Sequence, residues 1–525
     1  MWHSSGTTTT ETTCNKNCWK CRLFAGTKTV LTHVRKHTGV GLVCAVAYFD
    51  PGNWGVDLKA GSEYGYRLLF VVLLAGLFAV FFQTMASRMG CVTGLDLASH
   101  CRLLLHSRPK HTLLWRWLAL YPLYLLSEVA IIATDLAELL GSAIALCLLF
   151  PSLELWQGVL ITGFDVVILL ALGDPLRGTP VRMFEWLIGA MVIAVFICMC
   201  VIISRVDIHW GTAFQGYLPS KYIIPNGALY VSVGIIGATV MPHSIFLGSA
   251  LATQDRVSTA HRSAFPEVRT QSNSSDVDSD DKKSEVETPT TPKSLGQHLK
   301  TCSHHLWTCT CDAFKVPPPS SYATVAKRHS ERENNSYAIL ILASAIFFYG
   351  NGLTGENAGK DAAGLFDAYD LIKDLVGPGK PSFPSPSAES AGQSSSIIAT
   401  VAGQAVAEGF LQWRVSPVIR RLLTRLLAVI PSMAVAIAMG RAGIDMLLVL
   451  SQVVLSIVLP FITLPLIYVT SSKELMSVRV PAKGEESGET TKDFSNNWFS
   501  TVIASGIWLL VAIANVYVLS TLGKE

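Results

Sequence analysis

Long apolar stretches separated by short polar ones run through most of the chain, and this pattern predicts a multi-pass membrane protein. A helix that crosses a bilayer needs about 20 mostly apolar residues. Two apolar runs, 337–349 and 397–410, are too short to span alone. The longer runs lie at residues 39–60, 67–87, 113–141, 155–173, 183–204, 227–252, 421–440, 446–470 and 499–520. Counting the short runs as well, we predict an all-α integral membrane protein with about 11 transmembrane helices, the seventh and eighth truncated.

The composition supports a membrane protein and excludes other classes. Half of the 525 residues are hydrophobic, 15% are charged, and the mean hydropathy is +0.41. Soluble domains carry about 25% charged residues, so a soluble multidomain protein is excluded. The formal net charge of +3 is too small to indicate a nucleic-acid partner. The polar, Thr-rich first 38 residues are unlike a cleavable signal peptide.

The distribution of Lys and Arg predicts which side of the membrane each loop faces. Cytoplasmic loops are enriched in basic residues. Six basic residues precede the first span, and further ones follow the second, fourth, sixth, eighth and tenth spans, whereas the alternate loops hold few. We therefore predict a cytoplasmic N-terminus. We expect the protein in the plasma membrane or in an endosomal or vacuolar membrane.

The segments between the spans divide the chain into regions of different character. Residues 253–336, between the sixth and seventh spans, form an insert rich in Ser, Asp, Glu, Lys and Thr, a composition that predicts disorder. The external loop ends in PSFPSPSAES, a low-complexity stretch that we do not expect to start a lipid-facing helix. The predicted regions are a cytoplasmic tail (1–38), helices 1–6 (39–252), the cytoplasmic insert (253–336), helices 7–10 (337–470) with an external loop (350–392), a cytoplasmic loop (471–498), and helix 11 with the C-terminus (499–525).

Two predicted spans contain residues that break a helix within the membrane. Pro removes a backbone N–H, and Gly adopts dihedral angles that other residues avoid. Backbone carbonyls freed in this way are tolerated only inside protein or beside a cavity. Broken helices at positions one and six predict two inverted five-helix repeats with an ion site between the breaks; the alternative is a simple kink. The breaks are Asp50-Pro51-Gly52-Asn53 in the first span and Met241-Pro242-His243 in the sixth.

The residue types at the two breaks indicate a transition-metal site. A carboxylate at mid-bilayer is costly and functional by default, which favours a ligand role for Asp50. Asn53 and the main-chain carbonyl of Ala238 supply further oxygens, and Met241 supplies a thioether. Ca²⁺ and Mg²⁺ prefer all-oxygen shells, whereas Mn²⁺, Fe²⁺, Co²⁺ and Cd²⁺ accept a soft sulfur. The alternative for Met241 is packing in the protein core.

Three acidic residues lie in the third span at separations of seven and three residues, which places them along one stripe of a helix. Unpaired, they would be costly to insert, so we expect them to face protein or water. We interpret them as a proton relay, with a histidine that titrates near neutral pH beside them. Structural ion pairs at helix ends are the alternative. The acids are Glu128, Asp135 and Glu138, the histidine is His243, and the candidate basic partners are Arg420 and Arg421.

Two clusters of Cys and His contain residue types that bind zinc. Neither spacing matches a standard Cys/His zinc site. We therefore do not expect either cluster to sense metal. The clusters are Cys14, Cys18 and Cys21 in the tail, and Cys302, His304, His305, Cys309 and Cys311 in the insert.

At these residues the chain resembles the Nramp family of proton-coupled divalent metal transporters. The similar stretches include YFDPGNWGVDLKAGSEYGY, EVAIIATDLAELLGSAIAL, GIIGATVMPHSIFLGSAL and GQSSSIIATVAGQAVAEGFLQWR. The resemblance implies a LeuT-like fold. It also implies that Asp50, Asn53, the Ala238 carbonyl and Met241 hold the metal. His243 and the charged residues of the third and ninth spans would serve proton movement and gating.

The chain departs from the pattern of the family at three positions. Family members usually carry a second histidine five residues beyond the first, where this chain has Gly248. In the second span Gly76 stands in place of an asparagine. In the tenth span a glutamine expected near Val458 is missing. These departures bear on proton coupling and occlusion rather than on metal binding.

The sequence therefore favours a secondary transporter that imports Mn²⁺ or Fe²⁺ with protons by alternating access. Such a protein makes no chemical bond, so we expect neither an enzyme nor a bound cofactor, and we expect a monomer whose partners are divalent metal ions, protons and the lipid bilayer. One alternative is a metal sensor of the same fold that does not transport. Another is an amino-acid/cation symporter, whose site would not call for Asp50 and Met241 together.

Overall fold

The computed structural model describes residues 50–106, 108, 110–170, 197, 200, 203–204, 208–253, 364–367, 384–412, 417–481 and 489–522. Several predicted features lie outside these residues: the N-terminal tail, nearly all of the insert, the first half of the first span, most of the fifth span, and the seventh span. Both Cys/His clusters also lie outside them.

The described part of the chain is helical apart from one hairpin. Its helices are α1 (Pro51–Tyr64), α2 (Leu69–Thr93), α3 (Leu97–His106), α4 (Thr112–Leu149), α5 (Leu155–Leu170), α6 (Trp210–Gln215), α7 (Asn226–Thr239), α8 (Pro242–Ala252), α9 (Pro384–Leu411), α10 (Pro417–Ser471), α11 (Lys473–Met476) and α12 (Trp498–Leu522). Short 3₁₀ turns lie at Gly65–Leu68 and Lys221–Ile223, and Arg116–Leu120 within α4 is a π-helical turn. Strands β1 (Ser477–Pro481) and β2 (Glu489–Asp493) pair antiparallel.

The long helices of the described chain overlap the predicted apolar runs. Five helical stretches of the described chain are long and apolar enough to cross a membrane. Two of these stretches, Pro51–Thr93 and Leu422–Ser471, each contain parts of two predicted spans. α4 packs against α9 and α10, and α1 lies against α4, α7 and α10. This arrangement places the start of α1 among helices from both halves of the chain.

The eighth helix begins earlier than expected. α9 starts at Pro384, inside PSFPSPSAES and inside the predicted external loop 350–392. That this stretch does not face lipid stays a prediction. A helix can start at a proline because the first turn of a helix leaves its N–H groups unpaired in any case, and a proline there loses nothing. The apolar part of α9 is Ile398–Leu411, close to the predicted run. The helix is therefore 28 residues long with a polar first half.

The ninth and tenth spans are joined by a single glycine. α10 changes direction at Gly440, whose φ of 63° and ψ of −140° are not helical. Residues other than glycine rarely adopt this conformation. We call the two parts α10a (417–439) and α10b (441–471). The chain turns at this one residue, so no loop separates α10a from α10b.

The C-terminal helix satisfies a backbone carbonyl that a proline leaves unpaired in α10b. Pro460 has no N–H, so the carbonyl of Ser456 loses its helical donor. The Asn515 amide nitrogen donates to that carbonyl at 2.8 Å, and the Trp508 indole donates to the Pro460 carbonyl at 2.8 Å. α12 therefore holds the proline-containing part of α10b by specific hydrogen bonds as well as by apolar packing.

We expect Gly440→Ala to destabilise the protein through its backbone alone. No atom lies within 4 Å of the position that a Cβ would occupy, so the cost comes from the positive φ and should be about 1–3 kcal/mol. Thermal unfolding of the purified protein in detergent measures it as a lower Tm. Gly506→Ala is the matched control, because its Cβ would also meet nothing within 4 Å while its φ is ordinary. Equal Tm values for the two variants would contradict the prediction.

Candidate metal site

The first predicted break contains the start of a helix. Asp50 is the N-cap of α1, and its carboxylate accepts a hydrogen bond from the Gly52 N–H at 3.2 Å. The main-chain carbonyl of Asp50 accepts from the Asn53 N–H at 3.0 Å. Aspartate is favoured at this position because it accepts from first-turn N–H groups, and the helix dipole favours a negative charge there. Asp50 is fully buried and Asn53 nearly so.

The second predicted break is confirmed as a helix interruption. α7 ends at Thr239 and α8 begins at Pro242, with non-helical dihedral angles at Val240 and Met241 between them. In a continuous helix the carbonyl of Ala238 would accept from the N–H of residue 242, which is a proline and has none. Ala238 and Met241 are both buried. The break thus directs a main-chain oxygen and a thioether into the protein interior.

Gln452 of α10b connects the two breaks. Its side-chain amide donates to the Asp50 carboxylate at 3.2 Å. Its main-chain carbonyl lies against Gly237 so closely that a methyl group at position 237 would overlap it. Gly237 directly precedes Ala238, so one residue touches both the acid of the first break and the segment that carries the carbonyl of the second. The two breaks therefore lie on either side of Gln452.

The sequence reasoning missed Gln452, although the signal was present. A polar side chain in an otherwise apolar membrane span is expensive and marks a functional position by default. The tenth span indeed has Val458, a buried apolar residue, where a glutamine was expected. The same span nevertheless supplies the amide of Gln452 six residues earlier, beside Asp50, the acid that we predict to bind metal.

His243, a predicted proton-pathway residue, contacts the helix that carries the three predicted acids. The His243 ring nitrogen Nδ1 is 3.1 Å from the Thr134 hydroxyl, and that hydroxyl donates to the Ala130 carbonyl at 3.0 Å. Because a hydroxyl has a single proton, this geometry favours the tautomer with the proton on Nδ1, which leaves Nε2 able to accept one. Asp135, the residue after Thr134, is fully buried, as is Glu138 one turn further along α4.

The third predicted acid forms the expected ion pair. The Arg420 guanidinium contacts the Glu128 carboxylate at 2.5 Å, with both side chains mostly buried. The side chain of Arg421 lies outside the described residues, so its role stays a prediction. A second basic residue was not predicted: the buried Arg425 donates to the main-chain carbonyl of Asp135 at 3.1 Å. α10a therefore places two guanidinium groups along the acidic stripe of α4.

One of the three departures from the family pattern is filled by another side chain. The Gln83 amide of α2 occupies the space where a side chain at Gly248 would lie. Gln83 is buried. Gly76 is also a buried position of α2. A neutral amide therefore stands where the family pattern predicts a titratable ring.

The predicted ligands do not form a cluster of acids and histidines. Within the described residues no group of three or more His, Cys, Asp or Glu side chains could hold a metal ion. The predicted set contains one carboxylate together with an amide, a carbonyl and a thioether, so it does not depend on such a cluster. All four predicted ligand residues are buried at the two breaks; that they bind one ion together stays a prediction.

Comparisons with known proteins agree with this architecture. The chain is 37% identical to the manganese transporter pdt1 of Schizosaccharomyces pombe over 93% of this chain and 85% of the relative. It is 36% identical to the iron transporter SMF3 of Saccharomyces cerevisiae over 93% of this chain and 96% of the relative. A crystal structure of the Eremococcus coleocola manganese transporter aligns with a TM-score of 0.66 and 25% identity, covering 94% of this chain and 87% of the other.

A more distant structure shows only the fold. MhsT in complex with L-phenylalanine aligns with a TM-score of 0.52 and 11% identity over 92% of this chain and 97% of the other. The family model described as natural resistance-associated macrophage protein-like matches residues 41–276 and 335–521. With the LeuT-like fold and the two helix breaks in place, the chain belongs to the Nramp family of metal ion transporters.

Proposed function

We propose that this protein is a secondary active transporter that imports Mn²⁺ or Fe²⁺ together with protons by alternating access. The observation that carries the proposal is the contact of Gln452 with both breaks, to the Asp50 carboxylate through its side chain and to Gly237 through its backbone. A buried acid between two interrupted helices is the arrangement in which such transporters hold their ions.

The chemistry of the predicted ligands supports a transition metal as cargo. Asp50 supplies a negative charge, Asn53 an amide oxygen, Ala238 a main-chain oxygen and Met241 a sulfur. A mixed oxygen and sulfur set disfavours Mg²⁺ and Ca²⁺, which are abundant competitors with a preference for oxygen alone. That the relatives include a manganese and an iron transporter agrees with this selectivity.

The charged residues of α4 support proton coupling. A proton that enters the membrane needs groups that accept and release it away from bulk water. In the favoured tautomer the Nε2 atom of His243 is a proton acceptor, and Asp135 and Glu138 follow the neighbouring Thr134 along α4. The Glu128–Arg420 pair continues the line toward α10a. We propose that protons move along this stripe while the metal uses the breaks.

Transport of this kind requires no bond making and no resident cofactor. Its energy comes from the ion gradients across the membrane, so the protein acts as a carrier rather than as an enzyme. We propose that it works as a monomer in the plasma membrane or in an endosomal or vacuolar membrane, with its N-terminus in the cytoplasm, as the basic loops indicate.

We expect Asp50→Asn to abolish manganese uptake. The change keeps the size of the side chain but removes the charge that holds the cation, and loss of even a second-shell partner typically costs about 10–100-fold in metal affinity. Initial rates of radiolabelled manganese uptake at acidic external pH, corrected for the amount of protein at the membrane, measure the effect.

Asp493→Asn is the control for this experiment, because that carboxylate is exposed at the end of β2 away from the hairpin turn. Equal uptake by the Asp50→Asn and unaltered proteins would contradict the proposed transport site. Retained manganese binding by the purified, unaltered protein without any flux would instead favour the metal sensor.

We expect Gly237→Ala to weaken manganese binding by pushing α7 away from Gln452. The new methyl group would overlap the Gln452 carbonyl and the Ser456 N–H, and overpacking of this kind costs about 1–3 kcal/mol, or about tenfold in affinity. Gly234→Ala, one turn earlier on α7, is the matched control, because its Cβ would make only ordinary contacts, the nearest at 3.4 Å. Titration of both purified proteins with manganese should separate them; equal affinities would contradict the role of Gln452.

We expect Glu128 and Arg420 to act as one unit in proton coupling. Glu128→Gln or Arg420→Gln leaves a mostly buried charge without its partner, which is more damaging than removing both. Each single variant should therefore lose most of the stimulation of manganese uptake by external acid. The double variant should keep at least as much of this stimulation as the single variant that loses more of it. Uptake rates at acidic and neutral external pH measure this. Strictly additive losses would show that the two residues act independently.

A further inference from the structure

α1 and the first part of α10b lie side by side and antiparallel. Both extend from the candidate metal site toward the same end of the protein. At the site, Asp50 contacts Gln452. Further along, a Cβ on Gly55 would lie 3.3 Å from the Cβ of Leu448. The crease between the two helices therefore leads from the Asp50 carboxylate to the C-terminal end of α1, which the basic-residue pattern predicts to be the external side.

Asp445 lies on the same crease, beyond Leu448. It precedes Gln452 by seven residues, so the two side chains lie on the same face of α10b, about 10 Å apart along the helix axis. Lys59, one turn past Gly55 on α1, is close enough to act on the Asp445 carboxylate electrostatically. Asp445 therefore marks the external end of the crease.

A short segment of the predicted external loop, residues 364–367, sits on this end of the crease; we call it the plug segment. Leu365 and Phe366 are buried although they belong to a loop between two membrane spans. The Arg441 guanidinium carbon lies 4.4 Å from the centre of the Phe366 ring, a cation–π contact that covers the ring from outside.

A carboxylate of α10b contacts the backbone of the plug segment. Asp445 accepts a hydrogen bond from the Leu365 N–H at 3.4 Å. A methyl group on Gly364 would overlap the same carboxylate, so backbone and carboxylate are in close contact. The Gly364 N–H donates to the Asp367 carboxylate at 2.9 Å, which keeps the segment folded on itself. A hydrogen bond to an ionised acceptor is stronger than one between neutral groups.

We propose that the plug segment closes the external route to Asp50, and that Asp445 is the positioning residue that holds it shut. The proposal rests on the transport function and membrane orientation proposed above. Among the described residues, the plug segment contacts α10b at Asp445 and Arg441, at the outward end of the crease that leads from the Gln452 contact. A metal ion that approaches Asp50 along this crease must first displace Leu365 and Phe366, and to do so it must break their attachment to Asp445.

The side chain at position 445 sets how firmly the plug segment is attached. Asparagine keeps an oxygen that accepts from the Leu365 N–H, whereas leucine has a similar size and accepts nothing. Asp445→Leu should therefore release the plug segment and Asp445→Asn should largely retain it. A merely structural role for the charge would instead make the two variants similar.

Thiol labelling tests this without relying on transport. Gly55→Cys places a reporter on the crease between the metal site and the plug segment, in a background whose native cysteines are replaced by serine or alanine; Leu448→Cys is a second reporter. A membrane-impermeant methanethiosulfonate reagent is applied from outside. We expect Asp445→Leu to raise the labelling rate about tenfold or more, the effect of losing a hydrogen bond to a charged acceptor.

Three further variants complete the test. Asp445→Asn should change the rate much less than Asp445→Leu, and Met446→Leu, at the exposed neighbouring position, should leave it unchanged. Phe366→Ala removes the buried ring without altering α10b, so it should raise the rate even where Asp445→Leu folds poorly. Labelling that is unchanged in both Asp445→Leu and Phe366→Ala, with either reporter, would overturn the proposal.

Manganese uptake by the unaltered protein distinguishes the two levels of inference. Faster labelling of the variants together with no uptake would support the plug segment and refute the transport function. Normal uptake together with unchanged labelling would refute the plug segment and leave the transport function standing.

Discussion

The burial of one carboxylate constrains the structure around it. Asp50 has no contact with solvent, and a charge in such a place is tolerated only where other groups replace water. The first turn of α1 supplies N–H groups, and Gln452 supplies an amide proton from the other half of the chain. Because Gln452 also lies against Gly237, the position of α7 is set by the same contact. The geometry of the site therefore follows from how this one charge is accommodated.

Prolines interrupt two of the membrane helices with opposite consequences. Pro460 removes the helical donor of the Ser456 carbonyl, and Asn515 of α12 replaces it. Pro242 removes the donor of the Ala238 carbonyl in the same way, but there the chain leaves the helical conformation altogether. A freed carbonyl that another helix satisfies forms a structural kink, whereas the Ala238 carbonyl is the one that we propose as a metal ligand. On that proposal, the surrounding helices decide which freed carbonyl can bind an ion.

The sequence predicted those features that depend on local chemistry. The apolar runs gave the spans, and Pro242 gave the interruption of the sixth helix, because hydrophobic length and a missing N–H act wherever they occur. The start of α9 at Pro384 was not predicted because PSFPSPSAES was taken as a low-complexity loop, without regard to the compatibility of proline with a first turn. A polar residue in an apolar span could have marked Gln452 as a candidate. Its partner Asp50 lies 402 residues away in the sequence, and no local pattern specifies that contact.

On the predicted cytoplasmic side, the short helix α3 is hydrogen-bonded to both α8 and α9. α3 begins where the Leu97 N–H donates to the Ser249 hydroxyl of α8 at 3.0 Å, and its Arg102 donates to the Phe410 carbonyl at the end of α9 at 2.6 Å. These bonds satisfy backbone groups that helix ends leave unpaired. They also join α8, in the sixth predicted span, to α9, in the eighth. Any movement that separates the inner ends of α8 and α9 must break one of these bonds or carry α3 along with one helix. Since the bond from Arg102 is charge-assisted and the bond to Ser249 is not, the α8 contact is the weaker of the two, and α3 should stay with α9.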